Sequence, residues 1–530
     1  MRNFELPGRS RAHASHGMAA TSHPLATLAA LDVLRAGGNA MDAAVAAGAV
    51  QCVVEPQSTG VGGDCFVLYS RGGSDEIVAF NGSGRAPAQA TADFFETHGI
   101  GAIDPLSPHA VTVPGAVDAW ARLIADHGTR TLSELLKPAI AYARDGYPVL
   151  DRVANDWARA EAAIRNDPST TALFMAEGRT LAPGALHRQP KLAATLERIA
   201  GEGRDGFYRG PVAEDIVEHL NRRGGLHALS DFAAAQGEYV TPIKTNFRGL
   251  DIHQCPPNGQ GIIALLQLNI LAGLKIENRD PLSLERLHLA IEAARLAYAD
   301  RDAVLADPAR ADVPVAALLS RAHADSLRAR IRKDRRLEPL PPVSLPAHTD
   351  TVYIAVVDKD RNAASFINSL FSSFGTGLMA PRSGVLLHNR GASFVVARGH
   401  PNCIAPGKRP LHTIIPGMAV KDRRLVMPFG VMGGQYQAMG HAWFLSNLLD
   451  FGLDLQEAID LPRLFPTPAG PVEVESGVPA ATVEALKRLG HSPVRPDRPV
   501  GGGQAIWIDW QSGVLTGASD SRKDGLALGY

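Results

Sequence analysis

The 530-residue sequence is poor in cysteine and has no excess of charge of either sign. Its four cysteines, Cys52, Cys65, Cys255 and Cys403, are too few and too scattered for a disulfide framework or a cysteine-rich zinc site. We expect reduced, buried thiols. The 53 basic residues balance 54 acidic ones, so the sequence lacks the surplus of Lys and Arg that is typical of proteins binding nucleic acids or anionic membranes. We therefore expect neither of those partners.

Long apolar runs are also missing. No stretch of roughly 18 uninterrupted apolar residues exists, which excludes an obvious membrane-spanning helix. The N-terminal residues MRNFELPGRSRAHASHG contain no apolar segment of the length that a secretory signal needs. The sequence therefore predicts a cytoplasmic protein, unless an upstream start codon adds a signal peptide.

Several common catalytic motifs are absent. There is no G-x-S-x-G elbow of the serine hydrolases and no H-E-x-x-H zinc motif. The glycines Gly60, Gly62 and Gly63 have no following Lys-Ser/Thr, which disfavours a phosphate-binding loop. The 18 histidines show no spacing that points to a metal site. These absences leave a chance metal site formed by residues distant in sequence open.

Helix signals dominate the first part of the chain. Ser22 and Pro24 precede an apolar run that ends at Gly37-Gly38, which predicts a capped helix. Asn39 then predicts the cap of a second helix reaching Pro56, and the two helices should pack as a hairpin. Residues 116–300 are predicted to be mainly helical, and apolar residues at helical spacing there form a core stripe: Leu284, Leu287, Ile291, Ala294 and Tyr298.

The pattern changes in the second part. The basic stretch 328–336 predicts a solvated helix end, and the prolines of LEPLPPVSLPAH exclude helix and central strand, which indicates an exposed linker. Strand patterns follow in VYIAVV, AASFIN and VLLH, and MAVKDRRLVM predicts a hairpin. This order of elements favours an α+β fold whose sheets are covered by helices.

The junction between linker and strands, HTDTVYIAVVDKDRN, suggests self-cleavage of the chain by a hydroxyl nucleophile. A Thr or Ser that starts a strand after a linker can attack the peptide bond before it. The freed α-amino group, with a pKa near ~8, then serves as the base for the hydroxyl of the same residue. The alternative is that threonine stands here only because it favours strands.

The wider sequence resembles the γ-glutamyltransferase family (γ-glutamyltranspeptidase, glutathione hydrolase) almost from end to end. The matching motifs are GMAATSHPLATLAALDVLRAGGNAMDAAVAA, STGVGGD, VPGAVDAW, LKPAIAYARDGYPV, VVDKDRNA, FGTGLMAPRSGVLLHN, APGKRPLHTIIP, GVMGGQ and GASDSRKDGLALGY. The resemblance implies an N-terminal-nucleophile hydrolase with a four-layer αββα fold, built from both subunits of a self-cleaving proenzyme. Aligned through VVDKD, the family motif places the cut between Asp350 and Thr351.

The processed enzyme is then expected to consist of a large subunit, residues 1–350, and a small subunit, residues 351–530, with Thr351 at its new N-terminus. A homodimer of such heterodimers is a further possibility. The resemblance also assigns catalytic residues. Ser369 stands where the family has a Thr that hydrogen-bonds the nucleophile, and Gly433-Gly434 matches the glycine pair whose N–H groups form the oxyanion hole.

The positions that read the substrate depart from the family pattern. Where typical transpeptidases have an Arg that binds the α-carboxylate, this sequence has Ser83, with Arg85 two residues later. The positions of the family's Asn, Gln, Asp and paired serines are occupied, respectively, by Phe371, Arg390, Ser393, His412 and Thr413. Loss of the Asp removes the counter-charge of an ammonium group, whereas Arg390 adds a donor fork that suits a carboxylate.

These features predict a self-processing amidohydrolase that hydrolyses or transfers the acyl group of γ-glutamyl or related small carboxylate-bearing amides. Thr351 is expected to form the acyl-enzyme without a metal or organic cofactor. Substrate contacts are expected from Arg85, Arg390, Ser393, His412 and Thr413. One alternative is an amidohydrolase for oxamate-type or glutaryl/cephalosporin-type amides with little γ-glutamyl activity. A second alternative is a processed but inactive anion-binding protein.

Overall fold

A computed structural model describes residues 5, 8–276, 280–337 and 351–530. The prolines of the predicted linker and the predicted cleavage residue Asp350 lie between 338 and 350, outside the described residues. Runs of consecutive helices and runs of consecutive strands follow one another along the described chain.

The strands, in chain order, have the following bounds: β1 (Ala12–Ala14), β2 (Met18–Ala20), β3 (Asp64–Ser70), β4 (Ile77–Gly82), β5 (Tyr147–Pro148), β6 (Met175–Ala176), β7 (Arg179–Thr180), β8 (Leu186–His187), β9 (Glu238–Val240), β10 (Ile243–Phe247), β11 (Leu250–Gln254), β12 (Val352–Val357), β13 (Ala363–Ser369), β14 (Gly417–Lys421), β15 (Arg424–Met432), β16 (Leu464–Pro466), β17 (Val472–Val474), β18 (Pro493–Val494), β19 (Gly502–Ile508), β20 (Leu515–Ser519) and β21 (Ala527–Gly529).

The α-helices have these bounds: α1 (Pro24–Arg35), α2 (Ala40–Val54), α3 (Ala92–Thr97), α4 (Ala116–His127), α5 (Leu132–Leu135), α6 (Lys137–Asp145), α7 (Asp151–Arg159), α8 (Glu161–Ile164), α9 (Pro168–Phe174), α10 (Pro190–Glu202), α11 (Asp205–Tyr208), α12 (Gly210–Arg222), α13 (Leu229–Ala233), α14 (Gly261–Ala272), α15 (Leu284–Val304), α16 (Val315–Leu318), α17 (Arg321–Arg330), α18 (Gln437–Leu449), α19 (Leu455–Asp460) and α20 (Ala480–Arg488).

Two seven-stranded antiparallel sheets form the centre of the molecule. Sheet I has the order β21-β2-β12-β13-β3-β4-β9, and sheet II has the order β1-β20-β19-β15-β14-β11-β10. Each sheet takes strands from both sides of the predicted cleavage position. The two predicted subunits therefore share both sheets and cannot be separate folding units.

The sheets stack face to face, and helices cover their outer faces. Between the sheets lies an apolar core that includes Phe66, Tyr353, Met418 and Ile506. Helices α1, α2 and α4 pack on sheet I, whereas α14, α18 and α19 pack on sheet II. All fifteen residues of α2 are buried, as expected for a helix that is apolar on every side. The expected four-layer αββα fold is confirmed.

The predicted helical hairpin near the N-terminus is also confirmed, with one correction. Asn39 caps α2 through a capping box with Asp42. The cap of α1, however, is His23, whose ring accepts a hydrogen bond from the backbone N–H of Leu25. Ser22 does not cap the helix, because its hydroxyl donates to Glu55 Oε2 at 2.6 Å instead.

Other sequence predictions are corrected locally. VYIAVV, AASFIN and the MAVKDRRLVM hairpin form β12, β13 and β14–β15 as expected. VLLH is not a strand: within residues 385–388, Leu386 and Leu387 make only isolated bridges, to Met379 and Gly62. The mainly helical region also contains β9, β10 and β11, which extend both sheets.

Two further expectations concern the cysteines and the membrane. Three of the four thiols are buried as predicted, but Cys403 is partly exposed, and all four are free. Among the described residues, no helix combines the length and apolar character required to cross a membrane.

The glycine-rich turn before β3 is explained by close backbone contact. A Cβ atom on Gly63 would lie 2.3 Å from the carbonyl oxygen of Ser369, and one on Gly62 would lie 2.1 Å from that of Leu386. Since a carbonyl oxygen cannot rotate away as a side chain can, only glycine fits. The turn is thereby held against the end of β13.

We expect Gly63→Ala to lower the free energy of unfolding by about 2 kcal/mol or more, because the backbone must shift to admit the methyl group. Gly101→Ala is the matched control, since no heavy atom lies within 4 Å of its added Cβ. Urea denaturation of both variants measures the difference. Equal midpoints for the two variants would contradict this account of the turn.

Candidate active site

The candidate site lies where three neighbouring strands of sheet I begin or end. Thr351 immediately precedes β12, Ser369 is the last residue of β13, and Asp64 is the first residue of β3. Ser369 pairs in register with Asp64, and Val352 pairs with Asn368. The antiparallel register therefore places Thr351, Ser369 and Asp64 side by side at one edge.

Thr351 and Ser369 are in direct contact. Their hydroxyl oxygens lie 3.2 Å apart, and both residues are buried. The backbone N–H of Phe371 donates to Ser369 Oγ at 2.9 Å, which orients the serine. The expected pairing of these two hydroxyls is thus present in the geometry, and a Ser here supplies the same donor and acceptor as a Thr.

A third side chain reaches the Thr351 hydroxyl. Gln437, the first residue of α18, places its Nε2 at 3.4 Å from Thr351 Oγ1. Its Oε1 accepts a hydrogen bond from the backbone N–H of Ile415 at 3.1 Å. Because a backbone N–H can only donate, this second bond fixes which end of the amide faces Thr351.

Gly433 and Gly434 form the turn that leads into α18. Both have left-handed backbone conformations, with φ values of 122° and 56°. The carbonyl of Gly433 accepts from the N–H of Tyr436 at 3.0 Å. Since the N–H and C=O of a trans peptide point in opposite directions, the Gly434 N–H is directed away from this turn. A fixed, outward N–H is what an oxyanion hole requires.

A buried glutamine ties this turn to the other side of the site. Gln260 Nε2 donates to the carbonyls of Gly434 and Thr413, both at 3.0 Å. Its Oε1 accepts from Arg301, a buried residue of α15. The backbone positions of the glycine turn and of Thr413 are therefore set by one amide.

Asp64 is the centre of a buried charged cluster. Its Oδ2 lies 2.9 Å from His412 Nε2, 3.2 Å from His388 Nδ1 and 3.6 Å from Arg390 Nε. Its Oδ1 accepts from the backbone N–H of Gly84 at 2.9 Å. The carboxylate thus has partners from three separate stretches of the chain: Gly84, residues 388–390 and His412.

The pKa values of the cluster fix its charges at neutral pH. Burial alone would raise the pKa of Asp64, but its contacts with His388 and His412 hold that pKa well below the usual range. Burial and the nearby positive Arg390 lower the pKa of His412 to about 3. Burial lowers the pKa of Arg390 to about 9, although Asp64 opposes the shift. Asp64 is therefore anionic, His412 neutral and Arg390 cationic.

Arg390 keeps unused hydrogen-bond donors. Its Nη1 donates to Thr413 Oγ1 at 2.8 Å, and its guanidinium lies 4.2 Å from the centroid of the Phe371 ring. Among the described residues, Nε and Nη2 of Arg390 and the hydroxyl of Ser393 have no hydrogen-bond partner. Of the predicted substrate-binding residues, Arg390, His412 and Thr413 are thus brought together, with Ser393 nearby in the same 3₁₀ turn as Arg390.

Arg85 lies in a different environment. Its guanidinium is one-third exposed, lies 3.7 Å from Asp307 Oδ2 and donates to the carbonyl of Gly407. It lines a cavity of about 310 Å³ with mainly small and apolar residues. The neighbouring Ser83 donates to Asn81 Oδ1 at 2.8 Å. The structure thus gives Arg85 other partners than the Asp64 cluster.

Sequence reasoning missed four residues of this site: Asp64, Gln260, His388 and Gln437. Asp64 closes the motif STGVGGD, and an acidic residue after a glycine turn at the start of an apolar strand is a usable signal of a buried charge. The two glutamines carry no local signal, since their partners are distant in sequence.

One buried cluster elsewhere has metal-ligand residue types: His288 and Glu292, four residues apart on α15, with His491. His288 Nδ1 lies 2.8 Å from His491 Nε2, and its Nε2 lies 2.6 Å from the carbonyl of Arg332. Burial, His288, Arg295 and Arg336 lower the pKa of His491 to about 3. The positive guanidinium groups of Arg295 and Arg336 also disfavour binding of a divalent cation at this cluster. The contacts therefore favour a hydrogen-bonded network of His288 and His491 over a metal site.

Comparisons with known proteins agree along almost the whole chain. Residues 26–530 match the gamma-glutamyltranspeptidase family. The glutathione hydrolase-like YwrD proenzyme of Bacillus subtilis (strain 168) is 37% identical over 522 residues, covering 97% of this chain and 98% of that protein. The acylase ACY 1 proenzyme of Pseudomonas sp. (strain SE83) is 34% identical over 526 residues, with coverages of 97% and 93%.

Two further comparisons widen the range of activities. The oxamate amidohydrolase proenzyme of Klebsiella pneumoniae is 35% identical over 530 residues, covering 97% of this chain and 99% of that protein. The crystal structure of cephalosporin acylase from Bacillus halodurans has a TM-score of 0.93 and 38% identity, covering 100% of this chain and 99% of that one. Proteins with different named activities thus match almost the whole length of this chain.

We expect Asp64→Asn to lower the free energy of unfolding by about 3 kcal/mol or more, because it leaves the buried Arg390 cation without its counter-charge. Asp75→Asn, which removes an ion pair with the exposed Arg423, should cost less than about 1 kcal/mol. Urea denaturation at several pH values measures both.

The pH dependence has a definite sign. The folded-state pKa of Asp64 is lowered, so its stabilisation is fully present above the ordinary aspartate pKa of about 4 and is lost as the pH falls towards the folded-state value. The difference in free energy of unfolding between wild type and Asp64→Asn should therefore shrink only below pH about 4. A gap that shrinks between pH 8 and 5 would count against this assignment.

Proposed function

Because the chain belongs to the gamma-glutamyltranspeptidase family, we propose that it is a self-processing amidohydrolase whose nucleophile is Thr351. The observation that supports this most directly is the contact of 3.2 Å between the Thr351 and Ser369 hydroxyls at the buried start of β12. Gln437 contacts the same hydroxyl, and the glycine turn 433–434 leads into the helix that Gln437 begins. A nucleophile and a hydroxyl partner thus meet at one strand end, and the candidate oxyanion donors precede Gln437 in the same short segment of the chain.

Processing would use the same hydroxyl as turnover. Thr351 Oγ1 attacks the carbonyl carbon of residue 350, and the acyl group moves from nitrogen to oxygen, giving an ester. Water then hydrolyses the ester, which leaves a carboxylate on Asp350 and a free α-amino group on Thr351. The products would be residues 1–350 and 351–530.

In turnover, the freed α-amine of Thr351 takes the proton from its own hydroxyl as Oγ1 bonds to the amide carbon. The N–H groups of Gly433 and Gly434 would stabilise the oxyanion. The proton then passes to the leaving amine. Water, or an amine acceptor, releases the acyl group from Thr351 as an acid or a new amide.

The charged cluster supports a carboxylate-bearing acyl donor without an α-ammonium group. Arg390 is cationic, and its Nη2 has no hydrogen-bond partner among the described residues, whereas its Nε faces Asp64 at 3.6 Å. Asp64, the anion beside it, is already engaged by Gly84, His388 and His412.

A second candidate is γ-glutamyl hydrolysis, which is favoured by the similarity to the YwrD proenzyme.

We expect Thr351→Ala to abolish both self-cleavage and turnover while leaving the fold intact, because it removes the attacking oxygen. Ser369→Ala should slow both about 10- to 100-fold, the effect of losing one hydrogen bond in a buried site. Mass spectrometry of the purified chains, with N-terminal sequencing, measures cleavage. A Thr351→Ala chain that still splits after residue 350 would show that the nucleophile is another residue.

The acyl donor is tested with a panel of amides followed by mass spectrometry. A glutaryl or oxamic amide should be hydrolysed roughly 100-fold faster than its γ-glutamyl counterpart, because the ammonium group of the latter finds no counter-charge. Arg390→Lys, which keeps the charge opposite Asp64 but loses the donor fork, should reduce kcat/KM chiefly for carboxylate-bearing donors.

Two results would contradict these expectations. A kcat/KM that favours the γ-glutamyl amide, or one that does not respond to Arg390→Lys, would favour the glutathione-degrading alternative. Binding of a carboxylate without turnover of any amide in the panel would favour the inactive anion-binding alternative.

A further inference from the structure

Gln437 contacts the reacting atom but has no role in the reaction as proposed above. Its side chain is buried, and its Nε2 lies 3.4 Å from Thr351 Oγ1. The bond from the Ile415 N–H to Oε1 fixes the amide so that a donor, not an acceptor, faces the threonine. The Thr351 oxygen is therefore the acceptor in this pair.

The direction of the hydrogen bond, from Gln437 to Thr351, has a chemical consequence. Since one lone pair of Oγ1 receives the Gln437 N–H, the threonine's own hydrogen is left for donation to another group, and Ser369 Oγ lies at 3.2 Å. A fixed donor in a buried site also stabilises an oxygen more strongly as it loses its proton and gains negative charge. The donor thus acts when Oγ1 attacks and again when it leaves as the acyl group is released.

The position of Gln437 in the chain strengthens the argument. It stands three residues after Gly434, so one short segment carries both the candidate oxyanion turn and the donor to the nucleophile. The other glutamine of this segment, Gln435, differs: its Oε1 accepts from Arg301 and its carbonyl from Tyr298. Only Gln437 of the two reaches Thr351 in the contacts that the structure describes.

We propose that Gln437 is a catalytic residue that donates a hydrogen bond to Thr351 Oγ1 and stabilises the charge developing on it. This inference rests on the proposed function, because it takes Thr351 as the nucleophile. No covalent step is added: the proton of Thr351 still goes to the α-amine, and Gln437 keeps both of its amide hydrogens.

Two variants separate this role from a structural one. Gln437→Met removes both hydrogen bonds at similar volume, whereas Gln437→Glu keeps an acceptor for the Ile415 N–H and removes only the donor to Thr351. Both variants should lower kcat about 10- to 100-fold with little change in KM. The carboxylate of Gln437→Glu should also raise the pKa of the nearby α-amine, moving the acidic limb of the kcat pH profile to higher pH.

The measurements are kcat, KM and pH profile on the hydrolysed amide, the rate of self-cleavage of the full chain, and thermal unfolding. Gln511→Glu, the same substitution at an exposed position, should behave as wild type. If a Gln437 variant matures poorly, slower self-cleavage with an unchanged unfolding temperature supports the same conclusion.

The outcomes also separate this inference from the proposed function. Gln437→Glu with wild-type kcat, pH profile and cleavage rate would overturn the role of Gln437, provided that Thr351→Ala is inactive in the same assays. If Thr351→Ala itself still cleaves and turns over, the proposed nucleophile is wrong, and the role assigned to Gln437 falls with it.

Discussion

A carboxylate buried away from water must be matched by donors and positive charge, and the candidate site is organised by that requirement at Asp64. The partners of Asp64 come from the loop after β4, from residues 388–390 at the start of a 3₁₀ turn, and from the loop that carries His412. Because Asp64 also pairs in register with Ser369, the same residue fixes the distance between the charged cluster and the Thr351 hydroxyl. Charge matching and strand register therefore determine the site together.

The second constraint is steric. The backbone of the glycine turn touches the carbonyl of Ser369 at Gly63 and that of Leu386 at Gly62, so strand β13 and the segment bearing His388 and Arg390 are held against one loop. Gln260 likewise holds the carbonyls of Gly434 and Thr413 by donating to both. The end of β13 and the glycine turn 433–434 thus each have a fixed support, which suits a reaction that depends on exact placement of donors.

Features with local causes could be predicted from the sequence. For features with distant causes, such as the pairing of Thr351 with Ser369, the prediction depended on the family resemblance. The cap at Asn39 and the β14–β15 hairpin follow from short-range patterns. The Ser22 cap was wrong because a distant carboxylate, Glu55, competes for its hydroxyl. The VLLH strand was wrong because the chain there follows the glycine turn instead of a sheet. The cluster at Asp64 joins residues more than 300 positions apart in the sequence. Patterns of hydrophobic spacing predict local elements and cannot predict a contact over that separation.

The sharing of strands between the two halves of the chain has a consequence for synthesis. β1 pairs with β20, and β2 lies between β12 and β21. The N-terminal strands can therefore complete their pairing only after the C-terminal strands have been made. A chain still emerging from the ribosome can complete neither seven-stranded sheet until residues 515–529 are available. Sheet I, which carries the candidate site, therefore gains its edge strand β21 only when residues more than 500 positions from β2 have been made, so the two halves of the chain must be folded together.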